Sequence, residues 1–190
     1  MRYLLLPLLV LSSCRQDKKT AEETQSNEPT IVRLESERPL MGTLFKIITY
    51  AEDPREGYLA MEKSFDLAED FSNRATDYDP DSELNRLTKS KPGMPIAVSK
   101  ELFDVLILGK KLTKESEGIF APTLGPLTHL WRETRRTKEV PSEEDIAAAR
   151  SRCGIEFLAF DEKKQTITVK RQDLQLDLGG IAKGFAADLI

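Results

Sequence analysis

The sequence predicts an α+β fold from three observations. Short apolar stretches alternate with a period of two around residues 43–50, in two runs either side of 161–164, and at Leu174, Leu176 and Leu178. Longer stretches repeat their apolar residues at helical spacing and begin at serine caps. The two kinds are interspersed without the strict strand–helix–strand rhythm of a parallel α/β sheet, which leaves α+β as the class.

In chain order, "LMGTLFKIITY" is rich in β-formers and predicts a strand from Thr43 to Tyr50. Met61, Phe65 and Ala68 are spaced as on one helix face, so a helix is expected over 58–73. "TDYDPDSELNRLTKS" reads as a loop turned by Asp79-Pro80 and leading into a short helix capped by Ser82. The clearest helix follows Ser99. Its apolar face is Leu102, Val105, Leu106 and Leu112, and Gly118 stands where a helix-ending glycine belongs. "APTLGPLTHLW" gives a proline-bounded loop and another short helix, and Ser142 with Asp145 reads as a capping box for a further one. "GIEFLAF-DEKK-QTITVK" alternates on both sides of a polar turn and predicts a hairpin. The chain then runs into a strand at 174–178, a turn at Gly179-Gly180, and a helix in "IAKGFAADLI".

The N-terminus stands apart. "MRYLLLPLLVLSSC" carries one cation, Arg2, an apolar run from Tyr3 to Leu11, and small residues before Cys14. That is the layout of a secretory signal, and the run is shorter than the roughly 20 apolar residues that span a bilayer. Its ending resembles the bacterial lipobox. The resemblance implies a signal peptide over 1–13, lipidation at Cys14, export, and attachment to a membrane of the bacterial cell envelope on the periplasmic side. Residues 14–30 have no large apolar side chain and read as a disordered tether, leaving 31–190 as one domain. With 28 basic against 32 acidic residues and a net charge of −4, interspersed signs give no basic patch for nucleic acid. If Cys14 is lipidated, Cys153 has no intramolecular partner and reads as structural, and a single histidine, His129, excludes most histidine-based zinc sites.

Taken singly, the candidate motifs are weak. "GGIAKG" is not a phosphate-binding Walker loop, because Gly184 rather than Ser or Thr follows Lys183. Met41-Gly42-Thr43 reads as a plain strand entry, and "GIFAPTLGPLTHLW" as a loop packed on the core. "DYDPDSE" holds four carboxylates but lacks the spacing and glycine of a calcium loop, so it reads as solvated.

Together and in order, "MGTLFKI", "YDPDSELNRL", "EGIFAPTLGPLTHLW" and "LQLDLGGIAKGFAAD" resemble the ApbE family, the FAD:protein FMN transferases, over about residues 38–190. The resemblance implies a mixed sheet with flanking helices, and transfer of FMN from FAD to a Thr or Ser hydroxyl of an acceptor flavoprotein, with Mg²⁺ bound and AMP released. The acceptors it implies are flavoprotein subunits of membrane redox complexes. Carried over position by position, Met41, Tyr78, Ile119, Phe120, Ala121, Gly179 and Phe185 match FAD contacts. Ala182 matches a metal ligand supplied through its backbone carbonyl, and Lys183 stands near the phosphates. Ala121 departs from the pattern, which has Asp there. The family's remaining metal ligands and its "DPxTG" segment have no match, so the chain reads as the N-terminal half of such an enzyme. On that reading no catalytic residue can be named, and these 190 residues alone are expected to be inactive. The alternative reading is a non-catalytic, lipid-anchored remnant or nucleotide-binding lipoprotein.

Overall fold

The computed structural model describes residues 30–190, and Ile31–Ile190 form one compact unit. The expectations for the signal peptide, Cys14 and the tether up to residue 29 lie outside the described residues. The first element is a strand that sequence reading did not anticipate, β1 (Val32–Leu40), paired antiparallel with β2 (Thr43–Ala51) from Val32 opposite Ala51 to Leu40 opposite Thr43. On the outer face of β1 are charged residues: Lys46 bridges Glu35 at 2.5 Å and Glu37 at 2.9 Å. On the inner face Leu34 and Leu40 are buried.

Helix α1 (Pro54–Ala75) is longer at both ends than 58–73. Asp53 caps it by accepting the Arg55 N–H at 2.8 Å, and Pro54 starts the first turn, where no N–H is needed. Its buried stripe is Met61, Phe65, Ala68, Phe71 and Ala75. The hairpin lies directly on its first turn: a Cβ on Gly57 would stand 2.3 Å from Leu34 Cδ1. Arg38 also reaches α1, at 2.6 Å from Glu62 and 2.9 Å from Asp66. Exposed pairs of this kind contribute about 0–1 kcal/mol, whereas burying a leucine contributes about 1.5–3 kcal/mol. Leu34 and Leu40 therefore hold the hairpin down more than Arg38 does.

Three serine caps fall where the sequence placed them. Ser82 accepts the Asn85 N–H at 3.1 Å and starts α2 (Glu83–Thr88). Ser99 accepts the Leu102 N–H at 3.3 Å and starts α3 (Lys100–Glu115). Ser142 and Asp145 form the capping box of α5 (Glu143–Arg150). Gly118 ends α3 with φ 84° and donates its N–H to the Thr113 carbonyl at 2.8 Å. Between them, α4 spans Gly125–Thr137, a longer helix than the short one expected.

The expected hairpin forms as β4 (Leu158–Asp161) and β5 (Thr166–Val169), preceded by a single 3-10 turn at Ile155–Phe157. The short β3 (Pro95–Ala97) adds to the far side of β5. The α+β class holds, but the described strands make two separate antiparallel sheets, of two and three strands, rather than one mixed sheet. The strand expected at 174–178 is also corrected. Leu174, Leu176 and Leu178 are buried in alternation as read, yet the segment joins neither sheet. Its Asp177 N–H donates instead to the Pro122 carbonyl at 2.8 Å. Alternation records which face is buried and not whether a ladder partner is present. The last element, α6 (Ala182–Leu189), packs on α1 through Phe185 and Phe71, ring centroids 5.0 Å apart.

Candidate functional site

The β1–β2 turn, the end of α1, the middle of α4 and the start of α6 converge on a cavity of about 440 Å³. Met41, Ala75, Leu178 and Ala182 give it apolar wall; Asp77, Tyr78, Arg132 and Lys183 supply the polar groups. An adjoining groove of about 630 Å³ shares Tyr78, Arg132, Gly179 and Lys183 with it and adds Phe120, Ala121, Trp131, Arg135 and Asp177.

Met41 and Gly42 are the two residues of the tight β1–β2 turn, with φ 51° and 71°. A two-residue hairpin turn of this kind requires left-handed backbone at both positions, which glycine adopts freely and methionine does not. The strand entry read at Met41-Gly42-Thr43 is present, since β2 begins at Thr43, and Met41, in an unfavoured backbone conformation, also lines the cavity.

The polar centre of the site was not read from the sequence at all. Arg132 on α4 donates through Nη1 to Asp77 Oδ2, and through Nη2 to Asp177 Oδ2 at 2.7 Å. Both carboxylates are nearly buried, with side-chain exposures of 7% and 10%. The guanidinium carbon lies 4.6 Å from the centroid of the Tyr78 ring. His129 Nε2 stands 3.1 Å from the same Asp77 oxygen. Partial burial works to lower the Arg132 pKa, but the hydrogen bond to Asp77 and the charges of Asp77 and Asp177 outweigh it and hold it above the ordinary value. Asp77 thus corrects the reading of "DYDPDSE" as a wholly solvated loop. The loop is also internally braced, with Asn85 Nδ2 donating to the carbonyls of Asp77 at 3.0 Å and Asp79 at 2.6 Å.

At the glycine turn, Asp177 Oδ1 accepts the Gly179 N–H at 2.8 Å, and the N–H groups of Ile181 and Ala182 both donate to the Leu178 carbonyl. Three backbone amides of this turn are therefore used internally and are not free to bind a phosphate. Neither Gly179 nor Gly180 has positive φ. Gly180 is needed for close approach instead, since a Cβ there would lie 2.9 Å from Phe120 Cε2. Lys183 is exposed at the cavity rim, its Nζ 3.4 Å from the Gly179 carbonyl.

Of the residues matched to FAD contacts, Met41, Tyr78 and Gly179 line the cavity, and Phe120 and Ala121 the groove. Ile119 is 86% exposed and lines neither, while Phe185 is half-buried against Phe71. Ala182 is buried at the cavity wall in the first turn of α6. Among the described residues no group of three His, Cys, Asp or Glu could hold a metal ion. Asp77 and Asp177, the two carboxylates of the site, are bridged by a cation. These residues do not by themselves compose a Mg²⁺ site.

The family model of the ApbE family matches residues 41–190, and this chain belongs to that family. Among curated proteins, the FAD:protein FMN transferase of Vibrio cholerae is 30% identical over 189 residues, 98% of this chain and 52% of that protein. The FAD:protein FMN transferase of Chlamydia muridarum is 32% identical over 130 residues, 68% of this chain and 40% of that protein. The chain spans about half the length of the curated relatives it matches. Among solved structures, the flavin transferase ApbE from Vibrio cholerae aligns with a TM-score of 0.73 at 30% identity, covering 84% of this chain and 52% of that one. The ApbE protein of Thermotoga maritima also gives 0.73, at 26% identity, covering 83% and 51%.

Proposed function

We propose that this chain forms the FAD-facing part of an FAD:protein FMN transferase. The observation that carries the reading is the joined cavity and groove, with an open aromatic ring at Tyr78 and cations at Lys183 and Arg135, inside the segment matched to the family. Tyr78 would stack on a planar ring of the substrate. Lys183 and Arg135 would stand against the diphosphate, and Met41 would close the apolar end. In the reaction the acceptor Thr or Ser oxygen bonds to the FMN phosphorus, the bond from that phosphorus to the AMP oxygen breaks, and AMP leaves with its electron pair. The hydroxyl proton passes to a base. Such transfers depend on positioning and charge stabilisation more than on covalent help from the protein.

The proposal includes Mg²⁺ dependence, with Ala182 offering one carbonyl oxygen, a suitable hard donor. The described residues supply no group of three His, Cys, Asp or Glu side chains to complete the coordination of such an ion. It also includes lipidation at Cys14, envelope localisation, and acceptors that are flavoprotein subunits of membrane redox complexes. The apolar run before Cys14 and the short small-residue ending support the anchor. Among the described residues no helix is long and apolar enough to cross a membrane.

The test uses the full-length protein as its gene encodes it, FAD, and a flavoprotein acceptor with a single candidate Thr. Mass spectrometry should find FMN on the acceptor and AMP in solution when Mg²⁺ is present, and neither with EDTA. FAD binding with no transfer to any hydroxyl acceptor would overturn the transferase and leave a nucleotide-binding lipoprotein. A Cys14→Ala variant should leave the membrane fraction; equal membrane association of both forms after a salt wash removes the anchor.

A further inference from the structure

We infer that Arg132 is a positioning residue: it acts on the planar end of the substrate through Tyr78, and is not a cation that binds the phosphates. The inference rests on the flavin reading above for its ligand, but its geometry is independent of that reading. Two nitrogens of the guanidinium are committed to Asp77 and Asp177, and both carboxylates are too buried to be satisfied by water alone. With two carboxylates to one guanidinium the group is net negative, which makes it a poor anion site. Arg135 and Lys183 line the adjoining groove without a carboxylate partner among the described residues, so the charge for phosphate is available elsewhere.

What the clamp does hold is Tyr78. The ring is 76% exposed, so packing fixes little of it, and the guanidinium covers one face at 4.6 Å. Its backbone is steadied by the Tyr78 N–H donating to Thr76 Oγ1 at 3.2 Å. One face covered and most of the ring exposed leaves the other face open for stacking. The same clamp reaches the glycine turn, because Asp177 takes Arg132 on one oxygen and the Gly179 N–H on the other. Lysine could not replace it. A compact ammonium cannot bridge two carboxylates in a plane and stack on a ring together.

The experiment compares Arg132→Lys, Tyr78→Ala, their combination, and an Asp77→Asn/Asp177→Asn variant in the full-length protein. Folding of each is checked by thermal melting. In the free protein labelled with ¹³C-tyrosine, the Tyr78 ring signals, assigned with Tyr78→Phe, should move in Arg132→Lys. The FAD dissociation constant should rise about tenfold in Arg132→Lys and in Tyr78→Ala, the scale of one base–aromatic stack, and no further in the combination. The two-asparagine variant does not depend on Arg132→Lys folding, and it is read with riboflavin, which carries the planar ring and no diphosphate, so that the two lost negative charges act on no phosphate. Loosening the clamp should weaken riboflavin if Arg132 positions Tyr78, and leave it unchanged if Arg132 is a phosphate ligand. Unmoved Tyr78 signals, additive losses, or unchanged riboflavin binding in the asparagine variant each overturn the proposal. If the unaltered protein fails to bind FAD, the flavin reading falls, while the Tyr78 signals still decide what Arg132 holds.

Discussion

Two glycines show how differently single residues bear on this site. Gly125 opens α4, and a Cβ there would lie 2.5 Å from the Gln175 carbonyl oxygen, a backbone atom that cannot rotate away. Gly184 sits inside α6 with nothing within 4 Å of the same position. Gly125→Ala should therefore destabilise the fold by about 1–3 kcal/mol, the usual cost of overpacking. Gly184→Ala should stabilise it by about 0.5–1 kcal/mol by removing glycine's extra chain entropy from a helix. Chemical denaturation midpoints at constant slope measure both, and a neutral Gly125→Ala would mean that the 174–178 segment is free to move. Neither difference could be read from the letters, since both glycines stand beside helix-forming sequence. Of the motif residues, Met41, Tyr78, Gly179, Phe120 and Ala121 line the joined cavities. Ile119 and Phe185 share those motifs without lining either cavity, because neighbours in a motif need not point the same way.

At the scale of elements, what the sequence made legible was what a few adjacent residues decide. Ser82, Ser99 and Ser142 cap because a hydroxyl reaches an N–H two or three residues ahead, whatever the rest of the chain does. β1 escaped notice because "VRLESERPL" is mostly polar and becomes a strand only against its partner β2. The α5 cap carries a pH dependence. Asp145 is held below its ordinary value of 3.8 first by the Ser142 side chain and then by the Ser142 N–H. A depressed carboxylate stabilises the folded state above its unfolded pKa and loses that contribution as pH falls through the folded one. Amide exchange in α5 should thus quicken as pH drops below 3.8, after correction for intrinsic rates, while at neutral pH it stays slow. Asp145→Asn should flatten that dependence. An unchanged profile in the variant would assign the acid sensitivity to some other group.

For the whole molecule, the centre of the site joins residues 55 and 45 positions apart in the chain, and no local pattern announces such a meeting. It also sets a local field against the global one. The chain carries a net charge of −4, which repels a dianionic diphosphate at long range. That repulsion is spread over the surface and is screened beyond about 10 Å at 0.1 M salt. Arg135 and Lys183 line the groove itself, within contact of a bound ligand, where attraction between close charges is several times stronger than at a distance. The near field should win. Raising salt from about 0.05 to 0.5 M should weaken FAD binding severalfold, despite the protein's negative charge. In an Arg135→Gln/Lys183→Gln variant only the distributed repulsion remains, so added salt should leave affinity unchanged or raise it. Isothermal titration across the salt series measures both slopes. A slope that survives removal of Arg135 and Lys183 would assign the phosphate contact to another cation of the site, and would end the division of labour between these two residues and Arg132.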